Sequence, residues 1–368
     1  MEGNNFRTQL KKVVTNSTVL ILSCCLGFGS YFCYDSPAAL QPEIKEALNL
    51  TQSQFMSLYA WYSWPNVFIC FIGGYLIDVL LGRRLGGIFF AFLVLVGQFC
   101  LAFGVKNQSL FLMCIGRLIF GAGGETLAVV GNAYSVKWFS GSMLNLAFGL
   151  VLSVSRLGAT ASLNVLAPVY HYLEKKYAEY AETDVLFLTL MLAGCACLLS
   201  LLVGSILAII DRLVLGKEES ADDEEPLLDP DTPSRPQPPS FNISEMLDFP
   251  VGVWMIFLIC VAFYSSIFPL ISQGVEFFIE WFHVSPQEAR KLNSVVYTMA
   301  LPLSPLFGFI IDRTKKNVLW VLGSILITGS AHGMMAMVPL VGFKINPWIP
   351  TVMMGCGYSM LACSLWPI

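Results

Sequence analysis

Apolar residues in this chain fall into long runs separated by short polar intervals, a spacing set by a bilayer rather than by one face of a soluble helix or strand. About 20 apolar residues in α-helical form cross a hydrocarbon core roughly 30 Å thick. The pattern predicts six such spans, at 13–40, 54–81, 85–105, 109–136, 143–171 and 185–210, with a polar loop at 41–53. Four more follow at 251–278, 292–311, 318–339 and 347–367. Between the two sets the pattern stops: KEESADDEEPLLDPDTPSRPQPPS is acidic, proline-rich and too polar to bury a core, which marks a disordered linker. No series of ten-residue alternating segments suggests a membrane barrel. The expected fold class is therefore an all-α membrane protein. Its organisation is a short N-terminal segment (1–12), a six-helix bundle (13–210), a linker (211–249) and a four-helix bundle (250–368).

Composition agrees: 56% of residues are hydrophobic and 12% charged, against about 25% charged in soluble domains. The net charge of −4 is set largely by the linker and says little about partners. Basic residues are scattered, which argues against nucleic acid. They favour the face carrying residues 7–12, 83–84, 137, 212–217 and 313–316, which places the N-terminus and the linker in the cytosol. All eleven cysteines lie in apolar stretches with no CxxC pair, so packing thiols are expected rather than disulfides or a metal site. His171, His283 and His332 do not cluster in sequence. HExxH, GxSxG and GxxxxGK[ST] are absent, and GAGGET lies within a span instead of between a strand and a helix. Neither enzyme activity nor a cofactor is expected.

Three charges break the apolar pattern of the fourth and fifth spans: Arg117, Glu125 and Arg156. Each costs about 2.5–3.5 kcal/mol at mid-membrane on the insertion scale, so a polar, water-accessible path is the expected reason. At about 1.5 Å per residue, Arg156 sits near mid-depth and Glu125 a few ångströms closer to the cytosol. A carboxylate and a guanidinium held apart would suit the two charged ends of a zwitterion. The alternative is a structural ion pair between them. Arg117 fits a structural role, bonding backbone carbonyls. Asp35, before Ser36-Pro37, is either a cavity residue or a helix end. Asn293 and Tyr297 share a helix face and offer hydrogen bonds from the second bundle, with core packing as the alternative for Tyr297. Tyr59, Trp61, Tyr62, Trp64 and Asn66 read as an interfacial aromatic belt.

A further pattern repeats. GGYLIDVLLGRR ends the second span and FGFIIDRTKKN the eighth, aligning Gly74, Asp78, Arg83 and Arg84 with Gly308, Asp312 and Arg313. Repetition across a central loop marks a transporter of two related bundles. The glycine permits close helix approach, and the aspartate with its basic cluster forms a latch. The pattern resembles motif A of the major facilitator superfamily, although Val79 replaces the usual basic residue and an extra residue precedes Gly82. GRLIFGAGGE, with Arg117 and Gly121, resembles that superfamily's span-4 motif. CYDSPAALQ, LYAWYSWPNVFICFIGGYLID and NSVVYTMALPLSPLFGFIIDRTKKN are similar to lysosomal dipeptide transporters of the superfamily.

The resemblance implies two pseudo-symmetric bundles that carry dipeptides by alternating access, as a uniporter or with a proton. In it Glu125 takes the peptide's amino end, Arg156 its carboxylate, and Arg117 a conformational role. It also implies a lysosomal multi-pass location and a glycosylated accessory membrane protein as partner. Superfamily members have twelve spans and this chain ends inside the tenth, as a fragment or short isoform would. Asp78 then loses its partner at the eleventh span, while Asp312 keeps one near Asn145. Carriage of another small organic solute (amino acid, sugar or organic anion) is an alternative reading. So is a non-transporting isoform that acts as sensor or assembly partner.

Asp223, Leu227 and Leu228 in the linker form an acidic dileucine of the kind clathrin adaptors read. Asn49 and Asn107 are glycosylation candidates on the luminal side.

Overall fold

The computed structural model describes residues 2–139, 142–214, 249–342 and 344–365, with side chains for all of these except 2–12, 70–71, 78–79, 142–146, 148–149 and 312. Every regular element described is a helix. The first apolar run is broken rather than continuous: α1 (Glu2–Leu26), α2 (Phe28–Tyr34), α3 (Ser36–Ala39) and α4 (Gln41–Leu48) follow one another closely. Pro37 and Pro42 sit in the first turns of α3 and α4, where a missing N–H costs nothing. The expected polar loop at 41–53 is therefore mostly helix. Its polarity serves contacts, since Gln41 and Ile44 are buried while Glu43 and Lys45 reach the second bundle.

A capping box of Thr51 and Gln54 starts α5 (Gln52–Tyr75). A π-helical turn (Leu76–Leu81) ends it, and Gly82 at φ +64° takes the left-handed turn into α6 (Gly82–Lys106). The first bundle continues with α7 (Leu110–Trp138), α8 (Ser142–Lys176) and α9 (Glu182–Val214). The linker begins later than expected, because α9 runs past Asp211 and buries it. The second bundle holds α10 (Val251–Phe282), α11 (Pro286–Thr314), α12 (Asn317–Val341) and α13 (Trp348–Ser364).

Eight stretches among the described residues are long and apolar enough to cross a membrane by length and composition. Two of the ten expected spans are not among them: α13 has 17 residues, and the first half of α5 is rich in polar and aromatic residues.

In the first bundle α6 packs on α7 and α9, α5 on α7, and α2 on α8 and α9. Glycines set the closest crossings. A Cβ on Gly97 would lie 2.4 Å from the Phe120 nitrogen, and one on Gly116 2.5 Å from the Leu101 nitrogen. Such backbone-to-backbone contact substitutes for a hydrophobic driving force that lipid does not supply. The glycines of the repeated motif do not work this way: a Cβ on Gly74 or Gly308 meets nothing within 4 Å. Gly73 is the close one, where a Cβ would come 2.6 Å from Thr126. Gly116→Ala should lower the unfolding midpoint in detergent, since overpacking of this kind costs about 1–3 kcal/mol. Gly74→Ala should not. Equal midpoints for the two variants would refute the assignment.

The bundles meet where α8 lies along α11 and where α3 and α4 touch α10. The end of the molecule with Gly82, Trp138 and Asp211 is called the proximal face below, and that with Gln41, Lys106 and Arg290 the distal face.

Candidate substrate site

Glu125 lies halfway along α7 and is exposed, although Gly123 and Thr126 on either side of it are buried. The Tyr62 hydroxyl donates to its Oε1 at 2.7 Å. Gly121 makes that approach feasible, because a Cβ there would lie 2.4 Å from the Tyr62 carbonyl oxygen. The aromatic belt expected on α5 divides accordingly. Tyr59 and Tyr62, three apart, turn inward and are buried, whereas Trp61 and Trp64 are exposed.

Arg117 is wholly buried. It donates to the Cys33 and Tyr34 carbonyls at 3.4 and 3.0 Å, which are among the last of α2. Its guanidinium is surrounded by the rings of Tyr34, Tyr59, Tyr62 and Phe120 at 5.2–5.4 Å. Asp35 closes α2 and precedes α3. It is buried, its oxygens accept no hydrogen bond among the described residues, and Arg117 supplies the nearby positive charge.

Arg156 is also buried, on α8. It crosses to the second bundle, where Nη1 donates to the Ser304 hydroxyl at 3.2 Å and the guanidinium lies 4.7 Å from the Tyr358 ring centroid. Its Nε has no hydrogen-bond partner, nor does the hydroxyl of Thr160 one turn along the same helix. Among the described residues no ion pair joins Arg156 to Glu125. Each keeps a free edge: Oε2 on the carboxylate, Nε on the guanidinium.

The other expected ligand groups divide. Tyr297 is buried against Tyr358, with ring centroids 6.2 Å apart. Asn293 is committed elsewhere. Its Nδ2 donates to the Ile271 carbonyl at 2.7 Å, and its Oδ1 fills the space a Cβ on Gly274 would need. It clamps α11 to α10 and offers a ligand little.

Arg83 and Arg84 converge within the first bundle on buried Asp211, which also accepts from the Trp138 indole at 3.0 Å. Sequence reading had assigned Asp211 to the linker and missed this cluster. The side chains of Asp78, Asp312 and Asn145 lie outside those described, as do Asp223, Leu227 and Leu228 entirely. Arg313 is exposed, with its guanidinium 4.4 Å from the Phe309 ring centroid. Asn49 is exposed at the end of α4 with φ 51°, and Asn107 is exposed at the end of α6. Among the described residues there is no metal-binding cluster.

Hydrogen bonds and ion pairs between the bundles gather at the distal face. Arg290 of α11, almost fully buried, pairs with Glu43 of α4 and donates to the Ala39 carbonyl at 3.0 Å. His171 approaches the same Glu43 at 3.5 Å. Glu276 of α10 pairs with Lys45 and accepts from Gln41 at 2.8 Å. Sequence reading missed this clasp, because charges in a polar loop are ordinary.

Two helical bundles with an acid and a guanidinium inside their spans, not paired with each other, define a membrane carrier, and comparison with known proteins fits. The Major Facilitator Superfamily model matches residues 19–368, and the chain belongs to that superfamily. It is 45% identical over 353 residues to the lysosomal dipeptide transporter MFSD1 of Danio rerio, covering 95% of this chain and 72% of the relative. Identity to MFSD1 of Homo sapiens is 43%, over 95% and 71%. Among solved structures, the transporter FucP in its outward conformation aligns with TM-score 0.62 at 16% identity, over 94% of this chain and 83% of that one. The POT family transporter PepTSo aligns with TM-score 0.62 at 12% identity, over 95% and 82%. These two show likeness of fold alone.

Proposed function

We propose that the chain carries dipeptides across the lysosomal membrane by alternating access. The observation that supports this most directly is that Glu125 and Arg156 do not pair among the described residues, Glu125 accepting from Tyr62 through Oε1 alone and Arg156 keeping an Nε without a partner. A dipeptide brings an ammonium to Glu125 and a carboxylate to Arg156. Its side chains meet the surrounding aromatic and apolar surface, so recognition rests on the backbone ends. The proximal face is cytosolic, as the basic residues indicate. The distal clasp closes the luminal side in this conformation. The names of the 38–45% identical relatives support the substrate and the membrane. The dileucine at Leu227 and Leu228 engages clathrin adaptors, and a glycosylated accessory membrane protein covers the luminal face.

The test is competition for labelled dipeptide uptake into proteoliposomes. Free dipeptides should compete, whereas N-acetylated and C-amidated forms of the same peptides should compete at least tenfold less well. Blocked and free peptides of equal potency would refute recognition by the two ends.

A further inference from the structure

We infer that Tyr31 reads the peptide bond of the substrate, and that its hydroxyl makes a dipeptide preferable to any other zwitterion of the same length. The inference rests on the assignment of Glu125 and Arg156 to the two ends. Those residues account for two charges and leave unexplained how the amide between them is matched.

Tyr31 occupies the position this requires. One side of α2 is pressed onto α8 beside Arg156. A Cβ on Gly27 would lie 2.6 Å from the Ser155 hydroxyl, and one on Gly158 2.5 Å from the Phe28 carbonyl oxygen. Three residues beyond Tyr31, the Tyr34 ring meets the Tyr62 ring at 4.7 Å, and Tyr62 holds Glu125. Tyr31 shares the helix face of Gly27 and Tyr34, at spacings of four and three. It therefore stands between the α8 end of the site and the Glu125 end. The electrostatic neighbours of its hydroxyl say the same: Glu125 and Arg156 from the first bundle, Tyr264 and Tyr358 from the second.

Tyr62 spends its hydroxyl on Glu125, and Tyr59 engages the Ala38 backbone N–H at 3.1 Å. The half-buried Tyr31 has no hydrogen bond to its hydroxyl among the described residues. A phenol here donates to the carbonyl oxygen of the peptide bond. The partner is neutral, so the hydrogen bond is worth about 0.5–1.5 kcal/mol, roughly 2- to 12-fold in affinity. That suits discrimination rather than anchoring.

The experiment compares glycylglycine with 5-aminopentanoate, which has the same number of chain atoms between ammonium and carboxylate but no amide. Both compete for labelled dipeptide uptake by the reconstituted chain. The wild type should prefer glycylglycine several-fold. Tyr31→Phe, which removes one oxygen atom and keeps the ring, should bring that preference close to one while leaving the inhibition constant of 5-aminopentanoate and the unfolding midpoint unchanged. No preference in the wild type would overturn the inference without any variant. A preference unaltered in Tyr31→Phe would overturn it for Tyr31 alone, provided that Arg156→Ala and Glu125→Gln both weaken 5-aminopentanoate. If neither does, the two-ended reading fails and this inference with it.

Discussion

Arg156→Lys should reduce dipeptide uptake efficiency about 100-fold or more, nearly as far as Arg156→Ala, although the positive charge is kept. The guanidinium presents Nε and an Nη as a planar fork that fits both oxygens of a carboxylate, whereas an ammonium is a point charge on a different stem. Charge-assisted bidentate bonds are about twice as strong as neutral ones, and losing about 3 kcal/mol corresponds to that factor. Arg156 is bound to Ser304 and Tyr358, both neutral, so its removal strands no opposite charge. The unfolding midpoint should move far less than the uptake rate. The measurement is initial-rate uptake in proteoliposomes alongside thermal unfolding. A lysine variant within threefold of wild type would show that the fork geometry is unused.

The second large effect is expected at the distal clasp, and its two ion pairs are unequal. Lys45 and Glu276 have side chains 20% and 34% exposed, where a pair is worth about 1 kcal/mol or less. Arg290 and Glu43 are 4% and 10% exposed. Removing one partner from such a site leaves an uncompensated buried charge, at a cost of about 3–5 kcal/mol. That cost falls on the distally closed conformation only, because opening would return Arg290 to water. Glu43→Ala should therefore shift the population toward the distally open form. A cysteine replacing Thr160, in a background without the native thiols, should be labelled from the distal side by an impermeant maleimide at least tenfold faster. Glu43→Arg combined with Arg290→Glu should restore slow labelling. Unchanged labelling in Glu43→Ala would show that the pair does not hold the gate.

What could be read beforehand follows from where the physical cost lies. Charges inside apolar runs are expensive, so Arg117, Glu125 and Arg156 stood out, and each keeps at least one polar atom without a partner among the described residues. Arg117 donates to the Cys33 and Tyr34 carbonyls, as a buried guanidinium with no hydrogen-bonded acid does. Tyr59 and Tyr62 were assigned to an aromatic belt, since composition does not reveal which side of a helix faces inward. Asn293 was overestimated for the same reason: sharing a face with Tyr297 did not show that the face was already filled by α10. Glu43, Arg290 and Asp211 were invisible as a class. Their meaning comes from contacts between residues more than seventy positions apart, and each sits in a stretch where charge is unremarkable. At Gly74, where the motif pointed, an added Cβ meets nothing within 4 Å among the described residues, whereas at Gly73 it would come 2.6 Å from Thr126.

The glycine contacts differ between the two halves. In the first bundle, Gly29, Gly97, Gly104, Gly116, Gly121 and Gly158 all stand where an added Cβ would strike the backbone of a neighbouring helix. In the second, a Cβ on Gly252, Gly308, Gly329 or Gly333 meets nothing within 4 Å among the described residues, and Gly274, Gly355 and Gly357 chiefly meet side chains. Backbone pressed on backbone leaves no rotamer to adjust, whereas a contact through a side chain yields when that side chain turns. Substitution at the tight crossings of the half that bears Glu125, Arg156 and Tyr31 must therefore displace a helix, whereas at Gly274 or Gly355 it need only turn a side chain.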